Sequence, residues 1–284
     1  MNRLGVQITL VEMQRSLLPL DDPDAGSIIE DALGEEGVRV LTGVRCVGLE
    51  RVGDGVRVRL DGADDVLCDK VLVSVGRAPN IEGLGLEAAG VDFDRAGIQV
   101  DRRHRTTNRR IYAAGDVCSP MKFTHAAYAQ AEYAVFNALF GLRFNARDRV
   151  LPRVTYTDPE VATVGPTHDE LTRLGTAIHT IEVPASSIDR LVVDGHTSGF
   201  ARIHLKAGTD RIVGATLVCE GAGELIGEVA LTMTKGLGLS AIADTVHAYP
   251  TRSELVRKAA DAYNLERVTP GLRDLLRWWY RILW

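Results

Sequence analysis

The segment His247-Ala248-Tyr249-Pro250-Thr251-Arg252-Ser253-Glu254 holds the densest set of proton-moving groups in the chain. One reading makes His247 or Tyr249 a catalytic proton-transfer group with Glu254 as its orienter. A second reading takes Thr251 and Glu254 as a capping box that opens the next helix. The two readings are compatible. Other chemistry sits at strand ends. Glu12 follows the β-rich run Val6 to Val11, and an acid at such a position can accept hydrogen bonds from the ribose hydroxyls of a dinucleotide. It can equally be a solvated carboxylate; Arg15 leaves a 2′-phosphate open, while the acid favours NAD over NADP. Gly76 closes the apolar run Lys70 to Val75 and is followed by Arg77-Ala78-Pro79-Asn80. This is a place where backbone can approach a ligand, or a plain turn. Gly115-Asp116 closes Ile111-Tyr112-Ala113-Ala114. Its carboxylate can receive polyol hydroxyls or can cap a turn.

These residues need a scaffold of strands that end at ligands and helices that begin there. Val6 to Val11 reads as a buried parallel strand, and Leu4-Gly5 before it as the end of a helix with a glycine cap. A helix is expected over 25–36 with Gly37 as its stop. Strand-like runs follow at 38–42, 46–51 and 56–60, the last two joined through Asp54-Gly55. Lys70 to Val75 reads as another buried strand, Arg110 to Ala114 as a short one, and Thr124 to Gly141 as a helix. Asn145 to Leu151 has the look of a linker. Beyond Pro152 the pattern changes to an antiparallel hairpin (202–205 with 211–218) and helices over 224–235 and 252–264, a separate α+β domain. The fold class expected is therefore α/β plus α+β.

Composition narrows the function. Of 284 residues, 33 are Lys or Arg and 38 Asp or Glu, for a net charge of −5. That balance gives no footprint for nucleic-acid binding. Cys46, Cys68, Cys118 and Cys219 are far apart in sequence, so neither a zinc ribbon nor a local redox pair is expected, and a reducing, cytoplasmic setting is the default. The tail from Pro270 to Trp284 sets Leu272, Leu275, Leu276, Trp279, Ile282 and Leu283 at helical spacing, with Arg273, Arg277 and Arg281 every four residues. This amphipathic helix, with Thr269 as its expected N-cap, suits either a membrane surface or docking on protein. It is too short to span a bilayer.

Taken in order, five motifs resemble the FAD-dependent pyridine nucleotide–disulfide oxidoreductases, in the dihydrolipoyl dehydrogenase and mercuric-reductase-like branch. They are Ile8 to Glu12, Val75 to Asn80, Ile111 to Val117, Tyr156-Thr157-Asp158-Pro159-Glu160 running on to Gly165, and His247 to Glu254. The resemblance implies a partial NAD(P)-binding domain over 1–90, a partial FAD-binding domain over 91–148 and an interface domain over 149–268 that makes a homodimer. The amphipathic helix 269–284 follows. It implies NAD(P)H as electron donor, FAD as carrier, and a cysteine pair leading to a thiol/disulfide or related acceptor. Glu12 would meet the adenosine ribose, Gly76 the nicotinamide nucleotide, and Gly115 with Asp116 the ribityl chain. The backbone of Lys122, Phe123, Thr124 and His125 would lie along the flavin pyrimidine edge. Residues 247–254 would serve the other subunit's active site.

The same resemblance exposes departures. The sequence has no CxxxxC pair and no glycine fingerprint following a strand, so the amide-lined anion sites for both pyrophosphates are lacking. The position before Pro-Thr, where the family keeps its base histidine, is Tyr249, a much weaker base (pKa about 10 against about 6.5). No vicinal cysteines stand in the tail. The expectation is the C-terminal part of such an oxidoreductase: a truncated form, or one half of a split enzyme with a separately encoded N-terminal half. The alternative is a non-catalytic dimerisation or binding module.

Overall fold

A computed structural model describes residues 1–145 and 149–284. The linker expected over 145–151 lies partly outside the described residues. The chain divides into two compact units, one of residues 1–71 with 152–284 and the other of residues 72–151.

The first unit begins with a single 3₁₀ turn, Asn2–Leu4, closed by Gly5 in the left-handed region at φ 86°, as a helix stop should be. Strand β1 (Thr9–Glu12) pairs in parallel with β2 (Arg39–Thr42), and α1 (Pro23–Glu35) connects them. Asp22 caps α1 through its side chain, with Pro23 in the first turn. β1 is shorter than the run Val6 to Val11 and only half-buried, because this two-stranded sheet gives it one neighbour instead of two. Strands β3 (Arg45–Val52), β4 (Gly55–Asp61) and β5 (Val66–Cys68) form an antiparallel sheet. Val52 pairs with Gly55, so the hairpin turns on Gly53 and Asp54, one residue earlier than expected. Gly53 at φ 59° supplies the positive φ such turns need.

In the second unit β6 (Phe93–Asp94) and β7 (Gly97–Ile98) form a short ribbon, and α2 (Thr124–Phe140) ends at left-handed Gly141. Its small core gathers Leu86, Val91, Ile98 and Ala113. Two expected strands are absent. Residues 70–75 run unpaired, with Leu72 at 81% and Val75 at 92% exposure; an apolar strand stays buried only if a neighbour supplies hydrogen bonds and a face, and none does here. Residues 110–114 make only the isolated bridge Arg105–Tyr112.

The rest of the first unit is a five-stranded antiparallel sheet in the order β10-β11-β12-β9-β8. Its elements are β8 (Pro152–Thr155), β9 (Glu160–Val164), α3 (His168–Arg173), β10 (Ile178–Pro184), α4 (Asp189–Asp194), β11 (Phe200–Lys206), β12 (Ile212–Cys219), α5 (Ala222–Thr234), α6 (Leu239–Asp244), α7 (Glu254–Glu266) and α8 (Pro270–Leu283). The expected hairpin is the β11–β12 pair. Phe200, Val218 and Val161 share one face and pack with Leu17, Ala25 and Ile29 of the α1 region. Ile203, Ala215, Val164 and Ile181 share the opposite face and are buried; α5 and α7 pack on these strands.

Candidate functional site

The expected site residues fall in three groups. Glu12 ends β1, where one carboxylate oxygen accepts from the Gln14 backbone N–H at 2.7 Å. The bond shapes the turn and leaves the other oxygen for a ligand.

The second group lies within residues 72–151. Gly76 has φ 123°, open to glycine and strained for other residues, and nothing lies within 4 Å of where a Cβ would stand. Its neighbour Arg77 does the joining. One guanidinium nitrogen donates to the Lys122 carbonyl at 2.8 Å, and another lies 3.1 Å from Asp116 Oδ2. Lys122 Nζ donates in return to the Arg77 carbonyl. Gly115 opens a 3₁₀ turn, Gly115–Val117, at φ 82°. Its amide donates to Gln130 Oε1 at 2.8 Å, and an added Cβ would meet Ala127 Cβ at 3.0 Å. The turn is thus pressed onto α2 and holds Asp116 at its rim. Phe123 and His125 stack with ring centroids 5.4 Å apart. Phe123, at the N-cap of α2, offers no side-chain cap, and a helix N-terminus presents backbone N–H groups suited to an acceptor. The arrangement therefore has a carboxylate for hydroxyls and a helix N-terminus beside Lys122 for carbonyl oxygens. This donor set fits the ribityl and pyrimidine parts of a flavin. It offers no glycine-rich turn for a pyrophosphate.

The third group is 247–254. His247 Nε2 stands 2.9 Å from Glu228 Oε1 and Nδ1 3.0 Å from the Thr245 carbonyl. Both nitrogens thus face acceptors inside the chain. Tyr249, 69% exposed, donates its hydroxyl to Asp189 Oδ2 at 2.8 Å. That hydrogen bond, and the charge of Asp189, push the phenol above its ordinary pKa. The Tyr249 hydroxyl thus acts here as a hydrogen-bond donor to Asp189. Glu254 orients neither group; its Oε2 is buried without a hydrogen-bond partner. The capping box is also absent. Ser253 takes the N-cap of α7, and Thr251 Oγ1 instead donates to the Ala248 carbonyl at 2.7 Å. Arg252 fastens the segment by reaching Asp194 at 2.9 Å and Glu220 at 2.6 Å.

The partners of these candidate residues that sequence reasoning missed are Arg77, Glu228, Asp189 and Arg252. Arg77 stood inside a quoted motif and carried a signal, an arginine next to a ligand-side glycine. Glu228 and Asp189 lie 19 and 60 residues from their partners, a separation no local pattern reports. Two of the cysteines behave as structural residues: burial raises Cys118 to about 11 and Cys219 to about 12, far from the thiolate a relay needs.

Comparison with known proteins adds a consistent picture. The family model described as pyridine nucleotide-disulphide oxidoreductase matches residues 1–131, and the dimerisation domain of the same group matches residues 151–260. A dihydrolipoyl dehydrogenase of Thermus scotoductus is 37% identical over 94% of this chain and 59% of its own length. A mercuric reductase of Staphylococcus aureus is 33% identical over 91% of this chain and 48% of its own. Among solved structures, LpdA of Mycobacterium tuberculosis has a TM-score of 0.86 at 31% identity, covering 92% of this chain and 57% of that one. RclA of Escherichia coli, a HOCl-induced flavoprotein disulfide reductase, has 0.83 at 27%, covering 92% and 60%. The chain thus spans roughly half to three fifths of the proteins it matches.

Proposed function

Since the chain belongs to the pyridine nucleotide–disulphide oxidoreductase family, we propose that it is the C-terminal working portion of an FAD-dependent enzyme carrying electrons from NAD(P)H to a disulfide or related acceptor. The observation that carries this reading is the Arg77–Asp116–Lys122 cluster beside the uncapped start of α2. In this reading residues 1–90 belong to the NAD(P) side, 91–148 to the FAD side and 149–268 to a homodimer interface. Asp116 receives the ribityl hydroxyls, Lys122 and the first turn of α2 receive the pyrimidine carbonyls, and Glu12 takes the adenosine ribose. The flavin, when bound, supplies the two-electron chemistry. The anion loops and the sulfur relay come from a segment or chain other than this sequence. Tyr249 supports an acceptor that needs a hydrogen-bond donor instead of a strong base, which sets this chain apart from lipoamide-type thiol chemistry.

The test is to purify the chain alone and then together with a segment carrying a glycine-rich loop and CxxxxC. Alone, it is expected to lack stoichiometric flavin and to leave NADH unoxidised; together they retain flavin, and Asp116→Ala weakens that retention. A full yellow spectrum from the isolated chain overturns the two-part reading. Flavin retention untouched by Asp116→Ala overturns the site. A second reading, a non-catalytic dimerisation module, draws on the closed core of β8 to β12 and the dimerisation-domain match. It requires a stable dimer in light scattering and no flavin under either condition.

A further inference from the structure

The tail helix α8 lies beyond the family match, which ends at residue 260. At about 100° per residue, Leu275, Leu276, Trp279, Ile282 and Leu283 fall within an arc of about 120°. Arg273, Arg277 and Arg281 fall on the opposite side with Asp274. Trp278 and Tyr280 stand at the two borders between these faces. All of the apolar and aromatic side chains named here are exposed, so the chain itself covers none of them.

Three features decide what does. The first is the border. A helix that pairs with another copy of itself flanks a narrow apolar seam with charges of complementary sign; here the flanks are Trp and Tyr, residues that settle at the level of lipid headgroups. The second is charge. Three arginines against one aspartate leave the helix side chains at +2, on a chain whose total is −5. Two such helices repel, and their lone acid is already near its own Arg277 at 3.4 Å. An anionic surface attracts them. The third is length: fourteen residues are too few to cross a bilayer but enough to lie in its interface. We infer that α8 docks this protein in plane on an anionic lipid membrane, with the Leu/Trp/Ile face among the acyl chains and the arginines at the phosphates.

The chain's only three tryptophans are Trp278, Trp279 and Trp284, so tryptophan fluorescence, excited apart from tyrosine, reports on α8 and the residue that follows it. The full chain is titrated with vesicles of phosphatidylcholine, with and without phosphatidylglycerol. The expected result is a blue shift with the anionic vesicles and little with the neutral ones. Arg277→Gln with Arg281→Gln should require about thirty-fold more anionic lipid, from roughly fivefold per charge. Leu276→Glu with Leu283→Glu should abolish the shift while leaving circular dichroism of the body unchanged. No shift with anionic vesicles overturns the inference. So does a shift indifferent to these substitutions. A blue emission that grows with protein concentration and ignores lipid assigns the face to a second copy and overturns it too.

Discussion

The sheet β8 to β12 and residues 72–151 come from one chain of ordinary composition, yet they handle apolar surface in opposite ways. In the sheet, Ile203, Leu205 and Leu217 are wholly buried, and the strands meet partners that the same stretch of chain provides. In residues 72–151 the apolar run at 72–75 is bare, and α2 leaves Tyr128, Leu139 and Phe140 exposed. An antiparallel sheet built largely from strands close in sequence closes on itself. A strand whose run is apolar on both faces needs neighbours on both sides, and residues 70–75 have none. Burial is therefore a property of the partner as much as of the residue.

The strongest way to break this contrast is at Arg202. It reaches Asp22 at 2.6 Å, Asp24 at 2.7 Å and Glu182 at 2.7 Å, and tethers the cap of α1 to the sheet. Arg202→Ala leaves Asp22 buried without its cation and should cost about 3–5 kcal/mol in urea unfolding at fixed protein concentration. A loss under 1 kcal/mol would show that the tether is decorative. Next, Leu217→Ala should cost about 2–5 kcal/mol, while Leu72→Ala, with nothing packed on it, should stay within about 0.5 kcal/mol. Equal losses would erase the distinction between the two regions.

A pH titration sharpens the same contrast from inside the sheet. His204 is fully buried on β11, with Nδ1 at 2.9 Å from Thr180 Oγ1 and Nε2 unpartnered. Burial first, and then the nearby His168, lower its pKa to about 4. The unfolded chain binds a proton near pH 6.5 that the folded chain refuses until about pH 4. Stability is thus complete above about pH 6.5 and falls as pH drops through that window, by up to about 3 kcal/mol. His204→Gln should flatten the slope between pH 7 and 4.5; an unchanged slope would assign it to the carboxylates around Arg202.

The sequence was most readable where structure is local. The helix stops at Gly5 and Gly141, the hairpin of β11 and β12, and the helices α1, α2, α5 and α7 all follow from turn chemistry and periodicity. It was least readable where a distant residue decides. Lys70 to Val75 has a strand's pattern, but the pattern cannot say that a neighbour is present. The same holds for the site. Gly76, Asp116 and Lys122 announce themselves as motifs, while only the fold shows Arg77 binding them together. His247 and Tyr249 were legible as chemistry, and their partners Glu228 and Asp189 were not, being supplied by α5 and α4.

The smallest effect compares two helix starts in the same unit that carry the same Thr-x-x-Glu pattern. At Thr167 the box forms: Thr167 Oγ1 accepts from the Glu170 amide at 3.4 Å, and Glu170 Oε2 accepts from the Thr167 amide at 2.9 Å. At Thr251 it does not, because Ser253 takes the cap and Thr251 turns its hydroxyl to the Ala248 carbonyl. Pattern alone rates the two alike; packing separates them, since the chain before α7 is already held by Arg252 on Asp194 and Glu220. Thr167→Ala should therefore cost about 1 kcal/mol, whereas Glu254→Gln, which keeps the side chain's size at a position where Oε2 already lacks a hydrogen-bond partner, should cost less than about 0.5 kcal/mol. Thermal unfolding of both variants at pH 7 decides it. A larger loss at Glu254 than at Thr167 would mean that the carboxylate at 254 is held by something outside this chain, which is where a residue serving another subunit's active site would be felt first.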